Sequence, residues 1–315
     1  MRARRQRALG LLLGFAADRL LGDPRRGHPV AVFGSAAAAL ERPLWRDHRA
    51  AGVVHVVVLV GGATALGRAA DHRGRHPVLR TGVTAAATWT VLGGASLDRE
   101  VAAVGRLLAT GRLADARVRL THLVGRDTSR LTQEEVARAA LESLAENTSD
   151  AVVAPLVWGA VAGAPGLLAY RAANTLDAMV GHRSTHYRRF GWAAARLDDL
   201  LNLPGSRLTA ALAVVLAPTV GGDPREAWRA WRRDAAAHPS PNAGPVEAAF
   251  AGALGVRLGG SNTYGPPGDQ WVEHRAVMGS GRMPGHRDLE RARRLARRVG
   301  AGAVLVAAAA VAAAR

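Results

Sequence analysis

The sequence predicts an all-α, polytopic integral membrane bundle with polar cytoplasmic segments, and three observations predict it. Charge-free windows punctuate the 315 residues, among them 8–17, 50–67, 81–97, 151–170, 208–222 and 299–314. Hydrophobic residues make up 49% of the chain but aromatics only 4%, so the apolar content is mostly Ala, Val and Leu, beside 36 Gly. Small residues of this kind let helices approach closely, as they do in membrane bundles. Strand signal is sparse: "VVHVVVLV" at 53–60 is β-branched, but its length and Gly-rich sequel suit a membrane helix.

The N-terminus, "MRARRQRALGLLLGFAADRLLG", has a basic start and a short apolar core with no good cleavage site after it. It reads as a retained anchor with its arginines on the cytoplasmic side. The window 8–17 gains length only by burying Asp18 and Arg19, which suits a partial or interfacial segment. A spanning helix needs ~20 apolar residues. By that measure 50–67, 81–97 and 151–170 qualify, while 208–222 and 299–314 are marginal. Thr132 followed by Glu135 has capping-box spacing, so a helix is expected from Gln133. Within 151–170, Pro155, Pro165, Gly159, Gly163 and Gly166 weaken a straight helix and predict a broken or re-entrant segment. A straight span would put Glu146 and Asn174 on opposite sides of a membrane core ~30 Å thick. The re-entrant reading puts 146–150 and 174–177 within reach of the same, cytoplasmic side. Loops are marked by "GDPRRGHP" (22–29), "HPSPNAGP" (238–245) and "TYGPPG" (263–268). One domain is expected over 1–315, with motifs from about 10 to 270. A basic segment and an apolar C-terminal helix occupy 271–315.

Composition excludes several chemistries. The formal charge is +17, and all 42 basic residues are Arg, as codon usage in a GC-rich genome produces. Without Lys there is no Schiff base or P-loop lysine. Without Cys there is no disulfide, thioester or thiolate metal site. Nucleic acid is not an expected partner: only "RARRLARR" at 291–298 is dense, and there is no aromatic stacking platform. An anionic membrane surface or an anionic small substrate fits the charge better.

Three polar clusters stand beside the apolar windows. Glu135, Arg138, Glu142 and Glu146 form one helical stripe, which delivers Glu146 and Asp150 to the lip of the 151–170 window. A solvated, salt-bridged face would give the same stripe. Carboxylates at an apolar lip are costly unless they meet a cation, most simply Mg²⁺. Next, Tyr170, Asn174 and Asp177 share one face, followed by Asp198, Asp199 and Asn202. Finally, His238, Ser240, Asn242 and Glu247 lie in a Pro-rich stretch read as a rigid loop. "GGSNTYG" at 259–265 matches no phosphate-binding fingerprint.

These motifs have a family resemblance. "GDPRRGHPVAVFG", "GRDTSRL", "ALESLAENTSDAVVAPL", "YRAANTLDAMVG", "FGWAAARLDDLLNLPGSRLTA" and "HPSPNAGPVEAAFAGALGVRLGG" resemble, in order, the cobalamin-biosynthesis CobD/CbiB family. Departures from its pattern are Ala151, Ala178, His182 and the Pro-Gly-Ser-Arg at 204–207. The resemblance implies an adenosylcobinamide-phosphate synthase, a multi-pass protein of the bacterial cytoplasmic membrane. Such an enzyme joins the propionate of adenosylcobyric acid to aminopropanol or its O-phosphate, using ATP. Mg²⁺ would come with ATP as substrate, and no tightly bound prosthetic group is expected. Expected partners are the corrinoid, ATP, the amine, membrane lipid and other cobalamin-assembly enzymes. Glu146, Asp150 and His238 are the expected catalytic residues, His238 as proton acceptor. Asp177, Asp198 and Asp199 are expected at the metal. Arg126, Asp127, Asn147, Arg171, Asn174 and Asn242 are expected to bind substrate. The rival reading is a polytopic transporter or channel for an ion or anionic solute.

Overall fold

The computed structural model describes residues 2–23, 27–73, 76–182, 184–264 and 271–314. Along the chain run α1 (Arg2–Leu21), α2 (Pro29–Leu44), α3 (Arg49–Arg73), α4 (Pro77–Val91), α5 (Gly94–Ala109), α6 (Leu113–Leu120) and α7 (Gln133–Thr148). A π-helical turn, Ser149–Val153, joins α7 to α8 (Ala154–Ala162). Then come α9 (Ala164–Val180), α10 (Trp192–Leu216) with a 3₁₀ extension Ala217–Val220, α11 (Pro224–Asp234) and α12 (Ala243–Leu254). The hairpin β1 (Leu258–Tyr264) and β2 (Trp271–Met278) precedes the last helix, α13 (His286–Ala313). The protein is thus an all-α membrane protein with one small sheet. Three described helices are long and apolar enough to cross a membrane: Arg49–His72, Trp192–Val220 and His286–Ala313.

That set differs from the windows that qualify by sequence. The window 50–67 lies in a span-length helix as expected. The marginal windows 208–222 and 299–314 belong to long helices, because α10 and α13 begin well before their charge-free parts. Window 81–97 is not one helix. The chain leaves α4 at Leu92, which is extended (φ −76°, ψ 152°). Gly93 N–H then donates to Ala151 O at 3.1 Å. Asp18 is fully buried within α1, so this helix does bury the charge that the short window avoided.

The contacts group the described residues into two compact units, where the sequence suggests one continuous domain. The first contains 1–93, 150–205 and 303–315, the second 94–149 and 206–302. Close helix packing organises the first unit. Gly10 and Gly14, one turn apart on α1, face Thr84 and Thr88 of α4. A Cβ there would stand 2.5 and 2.4 Å from the two threonine Cβ atoms. This is small-xxx-small packing, in which backbones meet because side chains are missing. Ala37, Val56, Leu176, Val180, Phe190 and Ala194 form the apolar cluster between α2, α3, α9 and α10.

Window 151–170 is a helical hairpin, not a straight span. Gly163 ends α8 at φ 67°, ψ −145°, a conformation almost confined to glycine. The chain reverses there, and Pro165 sits in the first turn of α9. Gly159 and Gly166 let the two arms touch: a Cβ on Gly166 would lie 2.2 Å from Trp158 O. Tyr170 therefore returns beside the start of the segment, its hydroxyl 2.9 Å from Asp150 O.

In the second unit, Thr132 and Glu135 make the predicted capping box and α7 starts at Gln133. Every residue from Val136 to Ala145 is buried, so the stripe of Arg138 and Glu142 is not the solvated face that spacing also allowed. The β-hairpin is the element the sequence conceals. "LGGSNTY" has little strand propensity, and a register shift between Leu258 and Gly260 accompanies positive φ at Gly259 and Gly260. The expected turn at 263–268 lies mostly outside the described residues, as do positions 24–26 of the 22–29 loop.

Gly163→Ala should destabilise the hairpin by about 1–3 kcal/mol, since only glycine holds this backbone cheaply. Gly61→Ala on exposed α3, with nothing within 4 Å of the added carbon, should be neutral or stabilise by about 0.4–1 kcal/mol. Thermal unfolding of the detergent-solubilised proteins checks both. Equal effects of the two changes would contradict the hairpin.

Candidate functional site

In the first unit, polar side chains gather where the hairpin returns. The Tyr170 hydroxyl lies 2.6 Å from Asn202 Oδ1 and 2.9 Å from Asp150 O, and its one proton serves one of them at a time. Asn202 Nδ2 donates to Asp198 Oδ2 at 2.9 Å, and Asn174 Nδ2 to Asp198 Oδ1 at 3.3 Å. Asp198 is buried, and its carboxylate is held by two amides. Burial, then the negative charges of Asp150 and Asp198, raises the Tyr170 phenol well above its ordinary value. The phenol therefore stays a neutral donor. Arg171 contacts Asn174 at 3.4 Å. Among the described residues it is the only charged one on the wall of an apolar cavity of about 330 Å³, whose other lining includes Phe33, Leu59, Leu66 and Leu168. The π-turn at Ser149–Val153 sets Asp150, half-buried, at the mouth of the hairpin. Such turns often accompany functional sites, because they re-aim side chains within a helix.

The carboxylates expected at a metal do not act alike. Asp198 joins the amide network. Asp177 is half-buried one turn before the end of α9, where Gly181 N–H bonds its backbone carbonyl at 2.7 Å. Asp199 faces another way and pairs with Arg196 at 3.6 Å. Adjacent residues on a helix point about 100° apart, so Asp198 and Asp199 start toward different neighbours. Among the described residues no three His, Cys, Asp or Glu side chains converge as a metal cage.

In the second unit, buried α7 and α12 carry the charge. Glu142 accepts from Arg126 at 2.7 Å and from Gly259 N–H at 2.8 Å, and Arg138 lies 3.9 Å away. Arg138 also donates to the carbonyls of Gly259 and Ser261, the latter at 3.2 Å. One ion-pair group thus pins the 125–131 loop and the β-hairpin to α7. Glu146, one turn on, is half-buried. Burial raises its carboxyl, opposed by Arg275 and reinforced by Glu142. Asn147 turns back on its own helix, donating to Ser143 O at 2.9 Å. Asp127 accepts from Ser129 N–H at 2.9 Å, an Asx turn that shapes its loop.

The loop expected over 238–245 gives way to α12 at Ala243, so Glu247 is not part of it. It lies in the first turns of α12, fully buried. Asn242 precedes the helix, and its Oδ1 accepts from Arg207 at 2.9 Å and Ser206 at 3.1 Å. His238 is buried, with Nε2 3.7 Å from Glu247 Oε1. Burial, then Arg275, lowers its pKa, so the ring is neutral near pH 7. A cavity of about 470 Å³, lined by Arg207, Trp231, Arg232, Pro239 and Pro245, reaches His238. Burial, then Glu142 and Glu146, pushes the Glu247 carboxyl well above the usual carboxylate range.

Sequence reasoning did not select Glu142, Arg138, Glu247 or Arg275 as site residues. Two left a signal. Glu142 stands one turn before Glu146, and Glu247 is the single charge in "NAGPVEAAFAGALG". Arg275 left none, because only the hairpin pairing brings it near α7 and α12.

The family described as CobD/Cbib protein matches residues 11–296. A Mycobacterium tuberculosis protein named cobalamin biosynthesis protein CobD is 54% identical over 303 residues, covering 96% of this chain and 95% of its own length. Proteins of the same name from Chromobacterium violaceum and Rhodobacter capsulatus are 44% and 42% identical. They span 92% and 94% of this chain, and 92% and 95% of their own lengths. No solved structure matches.

The raised carboxyl of Glu247 has a pH signature. Below ~pH 4, both folded and unfolded chains hold the proton. As pH rises, the unfolded chain ionises first, so this group costs stability increasingly until the folded pKa is passed. Glu247→Gln should therefore match wild type in thermal stability near pH 4.5 and exceed it at pH 8. Unfolding midpoints across that range check the sign, and a variant less stable at pH 8 would contradict it.

Proposed function

The chain belongs to the CobD/Cbib protein family, and from that premise we propose that it is the ATP-dependent amide ligase of cobalamin assembly. It joins a propionate of adenosylcobyric acid to the amine of aminopropanol or its O-phosphate. The observation that carries this reading is buried His238, on the loop before α12, which a cavity lined by Arg207 and Arg232 reaches and which stands 3.7 Å from buried Glu247 of α12. That arrangement suits a small amine beside an anionic group.

A carboxylate does not react with an amine at neutral pH until one oxygen becomes a leaving group. The chain has neither Cys nor Lys, so it offers no thioester and no lysine-linked intermediate. The propionate oxygen attacks a phosphorus of ATP, giving an acyl phosphate with ADP leaving, or an acyl adenylate with pyrophosphate leaving. The amine then attacks the acyl carbon: a C–N bond forms, and the C–O bond to phosphate or AMP breaks. Mg²⁺ bound to ATP neutralises phosphate charge during this step. Without a three-ligand cage, one or two carboxylates would share it with phosphate oxygens. Asp150, Asp177 and Asp198 are the carboxylates suited to that, and the Asp199–Arg196 pair is less so. Arg126 is committed to Glu142, which leaves Arg171, Arg207 and Arg232 as the better cations for anionic groups of the substrates.

One feature favours a second reading, transport of an ion or anionic solute. Asp198 and Asn202 lie on a helix long enough to span, where polar side chains often mark a permeation path. A transporter would make no amide in detergent, where no gradient exists.

Detergent-purified protein given adenosylcobyric acid, MgATP and either amine should yield a corrinoid with the mass of the amide. Asp150→Asn, which keeps shape and removes charge, should lower turnover by ~10²-fold or more. Absence of product with both amines refutes the ligase, and wild-type turnover in the variant removes Asp150 from the site.

A further inference from the structure

Glu247 is the one ionisable residue on α12, whose other side chains are Ala, Pro, Val, Phe and Leu. It is fully buried, and among the described residues neither of its carboxyl oxygens has a hydrogen-bond partner. A buried carboxyl without partners is costly, and local packing of α12 gives no reason for one. His238 Nε2, 3.7 Å away, is equally unpartnered. Its other ring nitrogen is engaged: Ser240 N–H donates to Nδ1 at 3.0 Å. Ser240 O also lies 3.3 Å from Nδ1, but the shorter contact sets the tautomer: with Nδ1 accepting, the neutral ring carries its proton on Nε2, a donor with no free lone pair. His238 is poorly placed to take a proton.

The surrounding charge selects the ligand. Glu142, Glu146, Arg126 and Arg275 act on Glu247. Arg138 stands by Glu142, and Glu273 pairs with Arg275. With Glu247 ionised, four carboxylates stand against three guanidiniums, an excess of one negative charge that the proton on Glu247 balances in the free protein. A monovalent ammonium balances the same excess and brings three donors to the unpartnered oxygens.

We propose that Glu247 binds the ammonium group of the amine substrate and accepts its proton, with His238 Nε2–H orienting the carboxyl. This rests on the ligase reading above. One proton moves from nitrogen to a Glu247 carboxylate oxygen, freeing the lone pair that forms the C–N bond. The second nitrogen proton leaves with the departing phosphate or AMP, and Glu247 returns its proton to solvent. Burial holds a proton on Glu247 in the free protein, so the arriving ammonium displaces it and binding releases protons.

Calorimetric titration of the full-length protein in detergent with 1-aminopropan-2-ol, in buffers of different ionisation enthalpy, measures that release. Wild type should bind the amine with proton release and bind propane-1,2-diol at least tenfold more weakly. Glu247→Gln should lose at least tenfold in amine affinity and all proton release, whereas His238→Asn keeps the release. Unchanged amine binding in Glu247→Gln, or loss of release in His238→Asn alone, overturns the proposal. If Glu247→Gln does not fold, the wild-type comparison decides: equal affinity for diol and amine, or no amine binding, overturns it. Amine binding with proton release but no amide product would refute the ligase and leave the ammonium site standing. Amide formation with an unchanged amine KM in Glu247→Gln would do the reverse.

Discussion

Glu142 is taken out of water on a helix buried along ten consecutive residues, and three groups answer it: Arg126 and the Gly259 N–H donate to it, and the Arg138 guanidinium lies 3.9 Å away. An uncompensated carboxylate there would cost several kcal/mol, and removing one partner of such a group is correspondingly destructive. Those groups come from a loop 16 residues before Glu142, from the same helix, and from a strand 117 residues after it. The second unit depends on this group because it fixes two otherwise weak elements. The 125–131 loop has no secondary structure of its own, and the hairpin begins in glycines.

The same constraint separates three kinds of buried carboxyl. Glu142 is met by guanidinium charge. Asp198 is met by the neutral amides of Asn174 and Asn202, which hold its carboxylate in place. Glu247 has no hydrogen-bond donor at either oxygen among the described residues, and burial holds its carboxyl well above the usual carboxylate range. A group that is costly in the free protein and answered only by a ligand is what a binding site requires, because function and stability oppose one another there. The Tyr170 phenol completes the contrast as a donor that stays neutral beside two aspartates.

Missing side chains matter as much as charges. With 4% aromatics, the protein cannot fill its interior with rings. Gly10 and Gly14 let α1 meet α4 at backbone distance, and Gly159 and Gly166 do the same between the arms of the hairpin. Close approach of backbones gives van der Waals contact where lipid would remove the hydrophobic driving force between helices. The reversal at Gly163 then brings Tyr170 back to Asp150, which a straight helix would hold ~30 Å apart.

Local rules written over a few residues were legible in the sequence. Thr132 and Glu135 fix the start of α7 because a capping box needs only four positions. Two prolines and three glycines announce that 151–170 breaks, because each acts on its own backbone. The ordered motifs mark the family, and composition marks a bundle of small residues. Span lengths were read less well. Charge-free windows omit the polar first turns of α10 and α13, and the break at Leu92–Gly93 depends on a hydrogen bond to Ala151, 58 residues on. Tertiary structure alone decided which polar residues act together. It turned Asp199 to Arg196 and Asp198 to the amides, placed Glu247 in a buried helix instead of a loop, and built a hairpin from a glycine-rich run. The physical reason is range. Helix caps and breaks are set by the nearest few residues, whereas the charge state of a buried carboxyl is set by whichever distant segments fold against it.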